Sequence, residues 1–171
     1  MLKKLVFAIA VVLLAGVVLA LIGWPLNAAA QNPDPNAPTY STSAAAYYPL
    51  ERGFMFWLEE ADQIYVLVNQ TNELGGYVLQ YADTWQEGMP ETDPSLVPPP
   101  GLQQPDRGFG LVWRSNPNVR NAVGWGIGGT HGYTALVVRH GNRTLISAPD
   151  NRVYDITGGT WQAVDYYYRA Q

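Results

Sequence analysis

An indole two residues from a carboxylate, where a strand gives way to a loop, is the pairing in this sequence best suited to holding a ligand. Asp83 and Trp85 stand so in Tyr81-Ala82-Asp83-Thr84-Trp85. The indole offers a flat apolar face to a sugar or peptide, and the carboxylate accepts hydrogen bonds from hydroxyls. Trp125, between Gly124 and Gly126, is the second loop tryptophan, and His131 and Tyr133 follow it on the same connector. Trp85, Asp83, Trp125, His131 and Tyr133 are therefore the candidate ligand-binding residues. The competing reading makes both indoles staples that hold a long loop to a sheet.

Covalent chemistry finds less support. Glu51, Asp83, Glu87, Glu91 and Asp155 are carboxylates that could be paired for glycoside hydrolysis. Glu59, Glu60 and Asp62 read more simply as the solvated tip of a hairpin. There is no GxSxG element and no cysteine, which removes the common nucleophilic hydrolases. His131 and His140 make a metal site only if carboxylates converge on them from elsewhere. The glycine-rich run at residues 124–132 lacks GxGxxG spacing and a P-loop lysine, and a strand follows it where a helix should begin. No catalytic residue, metal ligand or cofactor is assigned.

The elements that must position these residues are strands. Gly53 leads into Phe54-Met55-Phe56-Trp57-Leu58, an acidic break follows, and Gln63-Ile64-Tyr65-Val66-Leu67-Val68 returns, which is the pattern of an antiparallel hairpin. The plan recurs at Gly141, with strands around residues 143–146 and 152–156 and a turn at Ala148-Pro149-Asp150-Asn151. Gly53 aligns with Gly141 and Tyr65 with Tyr154, with a one-residue slip, and a Gly-Gly pair follows each copy at Gly75-Gly76 and Gly158-Gly159. Residues 77–81 and 133–139 read as further strands. So do residues 107–113, with Phe109, Leu111 and Trp113 on one face by the period of two. Residues 117–123 form one short helix, with Asn116 as N-cap, Pro117 at the first position and Gly124 to end it. Residues 83–106 hold six prolines and form a long loop that wraps the surface or carries function. Trp57, Trp113 and Trp161 lie in or beside strands and are assigned to the core. The expected fold is all-β: an antiparallel hairpin and meander domain, a small sandwich or open barrel, built from two related hairpin units.

Composition sets the surroundings. Lys3 and Lys4 precede an apolar run from Leu5 to Ile22, and Ala28-Ala29-Ala30 supplies the small residues of a cleavage site. Residues 1–30 are thus a signal peptide, or a signal anchor that spans the bilayer as a hydrophobic helix. Residues 31–46, rich in Pro, Asn, Ser and Ala, read as a flexible linker, and residues 47–171 as one extracytoplasmic β domain, secreted or anchored at the cell surface. Beyond residue 30, eight arginines face fourteen acidic residues, a formal charge of −6. Such a surface does not suit nucleic acid, which needs clustered Lys and Arg. Membrane contact is expected only through the N-terminal segment if it is retained. The absence of cysteine leaves stability to the core, without disulfides.

Residues 50–57, LERGFMFW, resemble the F-E-x-G-x-I-Y-W element of LGFP-type repeats. Residues 83–88, DTWQEG, with residues 107–114, RGFGLVWR, look like an uncharacterised Trp/Gly-rich module of large secreted bacterial proteins. The resemblance implies envelope attachment or a glycan-facing accessory role. It departs at Val123-Gly124-Trp125-Gly126, which stands in place of the LGFP tetrad, and in the second hairpin, where Asn142-Arg143-Thr144-Leu145 replaces the aromatics. No functional residue is carried over from it. The sequence thus points to an extracytoplasmic, non-enzymatic module that binds a glycan, another cell-envelope polymer or a surface protein. The alternatives are a small glycan-active hydrolase using loop carboxylates and a surface structural protein without a ligand site.

Overall fold

The computed structural model describes residues 34, 36–70 and 74–164. The hydrophobic segment expected over residues 1–30 lies outside them. Among the described residues no helix is long and apolar enough to cross a membrane.

Eight antiparallel strands close into a barrel. They are β1 (Thr39–Leu50), β2 (Gly53–Leu58), β3 (Gln63–Asn69), β4 (Gly75–Ala82), β5 (His131–His140), β6 (Arg143–Ser147), β7 (Val153–Asp155) and β8 (Thr160–Val164). Around the barrel the order is β1-β2-β3-β4-β8-β7-β6-β5. Each half is a four-stranded meander, and the halves meet at their first strands, β1 with β5, and at their last, β4 with β8. The two related hairpins are β2–β3 and β6–β7, at matching places in the two halves.

Two features correct the sequence reading of the fold. The sheet is a closed barrel rather than a sandwich or an open barrel, because β1 runs on to pair with β5 from Thr39↔Arg139 to Tyr47↔His131. Closure gives the edge strands partners and so removes most of the sheet's exposed edge. The same strand occupies residues 39–46, the second part of the expected linker. Thr39, Ser41, Ser43 and Ala45 there alternate with outward positions. Small side chains suit the inner face, where aromatic rings from other strands fill the space.

The second correction is a helix. Residues 107–113, expected as a strand, belong to α1 (Arg107–Ser115), which is followed by α2 (Pro117–Val123), the helix expected at that place. Phe109, Val112 and Trp113 share the buried side of α1, a spacing of three and four that fits a helix and not a strand. Gly108 and Gly110 permit close packing: a Cβ on Gly110 would lie 2.3 Å from the Pro105 carbonyl oxygen.

The core has two layers. Inside the barrel, Phe54, Phe56, Leu67, Val137, Ile146, Tyr154 and Trp161 pack together, with the Phe54 and Tyr154 rings 4.7 Å apart. Outside, α1 and α2 cover β1, β2 and β3 through Phe109, Val112, Trp113, Val119 and Val123 against Tyr48, Leu50, Met55, Ile64, Val66 and Val68. Arg52 fastens this cover by donating to the carbonyls of Asn121 (2.8 Å) and Ala122 (3.0 Å) at the C-terminal end of α2, where the helix dipole favours a cation.

Residues 83–106 wrap the outside. Gln104 holds them by donating to the Asp93 and Leu96 carbonyls at 2.7 and 2.6 Å and accepting from the Asp93 N–H at 2.9 Å. Arg114 of α1 adds a bond to the Glu91 carbonyl at 2.7 Å.

Candidate functional site

The two ends of that wrapping loop return to one place. A cleft of about 290 Å³ opens there between the outer face of the barrel and the start of α1. Ala46 of β1, Ile64 of β3 and Phe109 of α1 form its apolar lining, and the indoles of Trp57 and Trp85 stand in its walls. Asp83, Asp106, Arg107 and Thr130 supply its polar groups.

Local sequence sets each of these. Asp83 follows the end of β4, and its Oδ1 accepts the backbone N–H of Trp85 at 3.1 Å, a turn that Asp makes readily two residues on. The same carboxylate lies over Gly108 in the first turn of α1, where a Cβ would approach its Oδ1 to 2.5 Å. A helix N-terminus favours a negative charge at that position. Asp106 flanks α1 and accepts the Thr130 hydroxyl at 2.8 Å. Arg107 has φ of +46°, in the left-handed region that costs a non-glycine residue about 1 kcal/mol or more. Its guanidinium lies over the Trp85 ring, 5.8 Å from the centroid, and 3.5 Å from the Glu91 carboxylate.

Trp57 donates from its indole N–H to Asp62 at 3.4 Å. The Trp85 indole N–H is buried without a hydrogen-bond partner. An unmatched buried donor costs on the order of 1–3 kcal/mol, which an acceptor brought within reach would relieve.

The structure brings together two of the five expected site residues, Asp83 and Trp85. Trp125 is elsewhere: its ring packs 4.9 Å from that of Trp113 in the outer layer, and its backbone N–H donates to Glu51 Oε2 at 2.8 Å. That contact has the character of the staple reading. His131 is exposed at the start of β5, one residue after Thr130 of the cleft. Tyr133 turns into the barrel against the inner core, where burial, and then the nearby Asp150, push its hydroxyl pKa upward.

Trp57, Asp106, Arg107 and Thr130 are cleft residues that sequence reasoning missed. Trp57 was assigned to the core but is half-buried at the cleft, whereas Trp113 and Trp161 are buried. The signal for Asp106 and Arg107 was available as the helical spacing of Phe109, Val112 and Trp113, which places both at a helix start.

The other carboxylates considered for hydrolysis are dispersed. Glu51 holds the Trp125 backbone, Asp155 pairs with Arg143 on the far half of the barrel, and Glu87 is exposed on the loop. Among the described residues no three of His, Cys, Asp and Glu are grouped as metal ligands. No family model matches the chain, and neither a curated protein nor a solved structure does.

Proposed function

We propose that this protein is an extracytoplasmic, non-enzymatic module that binds a glycan in the Trp57–Trp85 cleft. The observation that supports it is the joining, in one small concavity, of two indoles with Asp83, Asp106 and Thr130. A pyranose ring has apolar C–H faces that pack on an indole and hydroxyls that need acceptors, and this lining offers both. The volume suits one sugar unit, at the lower end of the range for small-ligand pockets. The charged N-terminus and the apolar run after it motivate the location outside the cytoplasm.

Trp85→Ala tests the reading. Titration of the purified protein with soluble peptidoglycan fragments and N-acetylglucosamine oligomers should show saturable binding, and the variant should lose about 2 kcal/mol, roughly 30-fold in affinity. Its melting temperature should stay within a few degrees of wild type, since the ring is only half-buried. A variant that unfolds makes Trp85 a staple. Binding that survives the substitution moves the site elsewhere.

The presence of both Asp83 and Asp106 in the cleft favours a second reading, hydrolysis by a carboxylate pair. Release of reducing ends from the same oligomers, abolished by Asp83→Asn and by Asp106→Asn, would replace binding with catalysis.

A further inference from the structure

The barrel is closed by unequal seams. β1 and β5 pair over nine residues, whereas β4 meets β8 only at Gly75↔Gln162, Gly76↔Trp161 and Tyr77↔Thr160. β4 continues for five residues past that contact, to Ala82, while pairing with β3 throughout. The direction of its backbone groups follows from the bonds at the strand ends. Gln70 N–H donates to the Gly75 carbonyl and Asp83 N–H to the Asp62 carbonyl, so odd-numbered residues of β4 bond to β3. Ala163 N–H donates to the Leu74 carbonyl, so even-numbered residues bond toward β8. The N–H and C=O groups of Val78, Gln80 and Ala82 therefore point into the seam, beyond the place where β8 ends.

What stands opposite is not a strand. By the register of this seam Val78 would face Gly159. The chain there is instead wound into a 3-10 turn over Thr157–Gly159, with φ of +66° at Gly158 and +79° at Gly159. A cleft of about 240 Å³ fills the interval, with Val78 and Gln80 on one side and Gly158 and Gly159 on the other. A Cβ added to either glycine would meet nothing within 4 Å. Tyr65, Thr144 and Ile156 line its inner side.

We propose that this gap is a site for strand addition, taken by a short extended segment of a partner polypeptide. The segment would continue the β8 position and pair antiparallel with Val78, Gln80 and Ala82. Recognition of this kind draws affinity from the main chain and selectivity from alternate side chains. The side chains that turn inward would meet Tyr65, Thr144 and Ile156, which selects small apolar residues at every second position. A single strand fits and a second sheet edge does not, because the turn at residues 157–159 bounds the gap on its other side. The site is separate from the Trp57–Trp85 cleft and does not depend on what that cleft binds.

Amide exchange and peptide titration, read by NMR on the same sample, test the proposal. In the uncomplexed protein the amides of Val78 and Gln80 should exchange fast and those of Leu79 and Tyr81 slowly, since only the latter bond to β3. Capped hexapeptides with valine at alternate positions, and mixtures of residues at the others, should slow Val78 and Gln80 at least tenfold. Gln80→Pro removes one seam-facing N–H and leaves the β3 ladder intact, as an edge position allows. It should abolish peptide binding with the melting temperature nearly unchanged, while Leu79→Pro should destabilise the barrel. The proposal is overturned if no peptide mixture slows these amides. It is equally overturned if Gln80→Pro binds as wild type, or if the peptide-induced shifts map to Trp85 instead.

Discussion

Gly53, at the head of β2, and Gly141, at the turn before β6, hold matching places in the two halves of the barrel. At Gly53 φ is +151°, and a Cβ would lie 2.0 Å from the Leu67 carbonyl oxygen on the neighbouring strand. At Gly141 φ is +58° and a Cβ would meet nothing within 4 Å. The Gly-Gly pairs divide the same way. Gly76 lies under the Trp161 indole, whose N–H reaches past it to the Val68 carbonyl at 2.9 Å, and a Cβ there would sit 1.8 Å from that oxygen. Gly158 and Gly159 have positive φ and open space. The first half uses glycine to let atoms approach, and the second uses it to turn the chain.

The difference follows from what covers each half. All the helix residues in the outer core pack on strands of the first half. Val66, one residue after Tyr65, is fully buried beneath that cover. Asp155, one residue after the matching Tyr154, takes the corresponding outward position on the second half and is held by an ion pair with Arg143. Apolar contact on one side is thus matched by charge on the other.

The largest effect expected from this contrast is at Gly53. Even Gly53→Ala places a carbon inside the radius of a backbone oxygen that the β3 ladder holds in place. It should destabilise the protein by more than about 2 kcal/mol, and Gly53→Val by more still. Denaturant melts of both variants measure this. An alanine variant as stable as wild type would remove the distinction between the two glycines.

Much of this plan could be read from residue pattern. The β2–β3 hairpin, β4, β5, the β6–β7 hairpin and α2 all stand where Gly, Pro and alternating apolar residues place them. The readable part is local. β1 escaped notice because Thr39 to Ala46 is small and polar, the composition of a linker, and its pairing with β5 joins residues about a hundred positions apart at the Thr39↔Arg139 end. α1 was misread because Phe109, Leu111 and Trp113 fit a period of two while Phe109, Val112 and Trp113 fit a helix, and two glycines tipped the choice toward strand. The cleft was half legible. Asp83 and Trp85 lie two residues apart in the chain, but Trp57, Asp106 and Thr130 reach them only through the barrel and the fold of the long loop.

A smaller effect separates the halves by pH. Burial pushes the Asp155 carboxyl pKa up, but bonds from Thr157 and the Arg143 guanidinium outweigh it and leave the value below the ordinary 3.8. A carboxylate whose folded pKa is depressed stabilises the fold above its unfolded value. That contribution is lost as pH falls below 3.8 and through the folded value. Asp155→Asn should therefore cost about 2 kcal/mol at pH 7 and progressively less as acid removes the wild-type advantage. Val66, uncharged at the matching position, contributes no such dependence. Melts of wild type and variant that stay parallel down to pH 2 would show that the ion pair does not stabilise the second half.

The smallest effect, and the sharpest test of the two uses of glycine, is at Gly141. It is the first of two residues, Gly141 and Asn142, that join β5 to β6 after the pair His140↔Arg143. Its φ is positive and that of Asn142 is not, the pattern of a hairpin turn with glycine required at its first central position. Any L-residue there meets the same backbone penalty, about 1–2 kcal/mol, and no further penalty for size because no atom stands nearby. Gly141→Ala and Gly141→Leu should then lower stability by equal amounts, whereas Gly53→Ala and Gly53→Leu should differ widely. Four denaturant melts give the comparison. If the leucine variant at position 141 proves much worse than the alanine, the open space around that turn is filled in solution, and the two glycines do the same job after all.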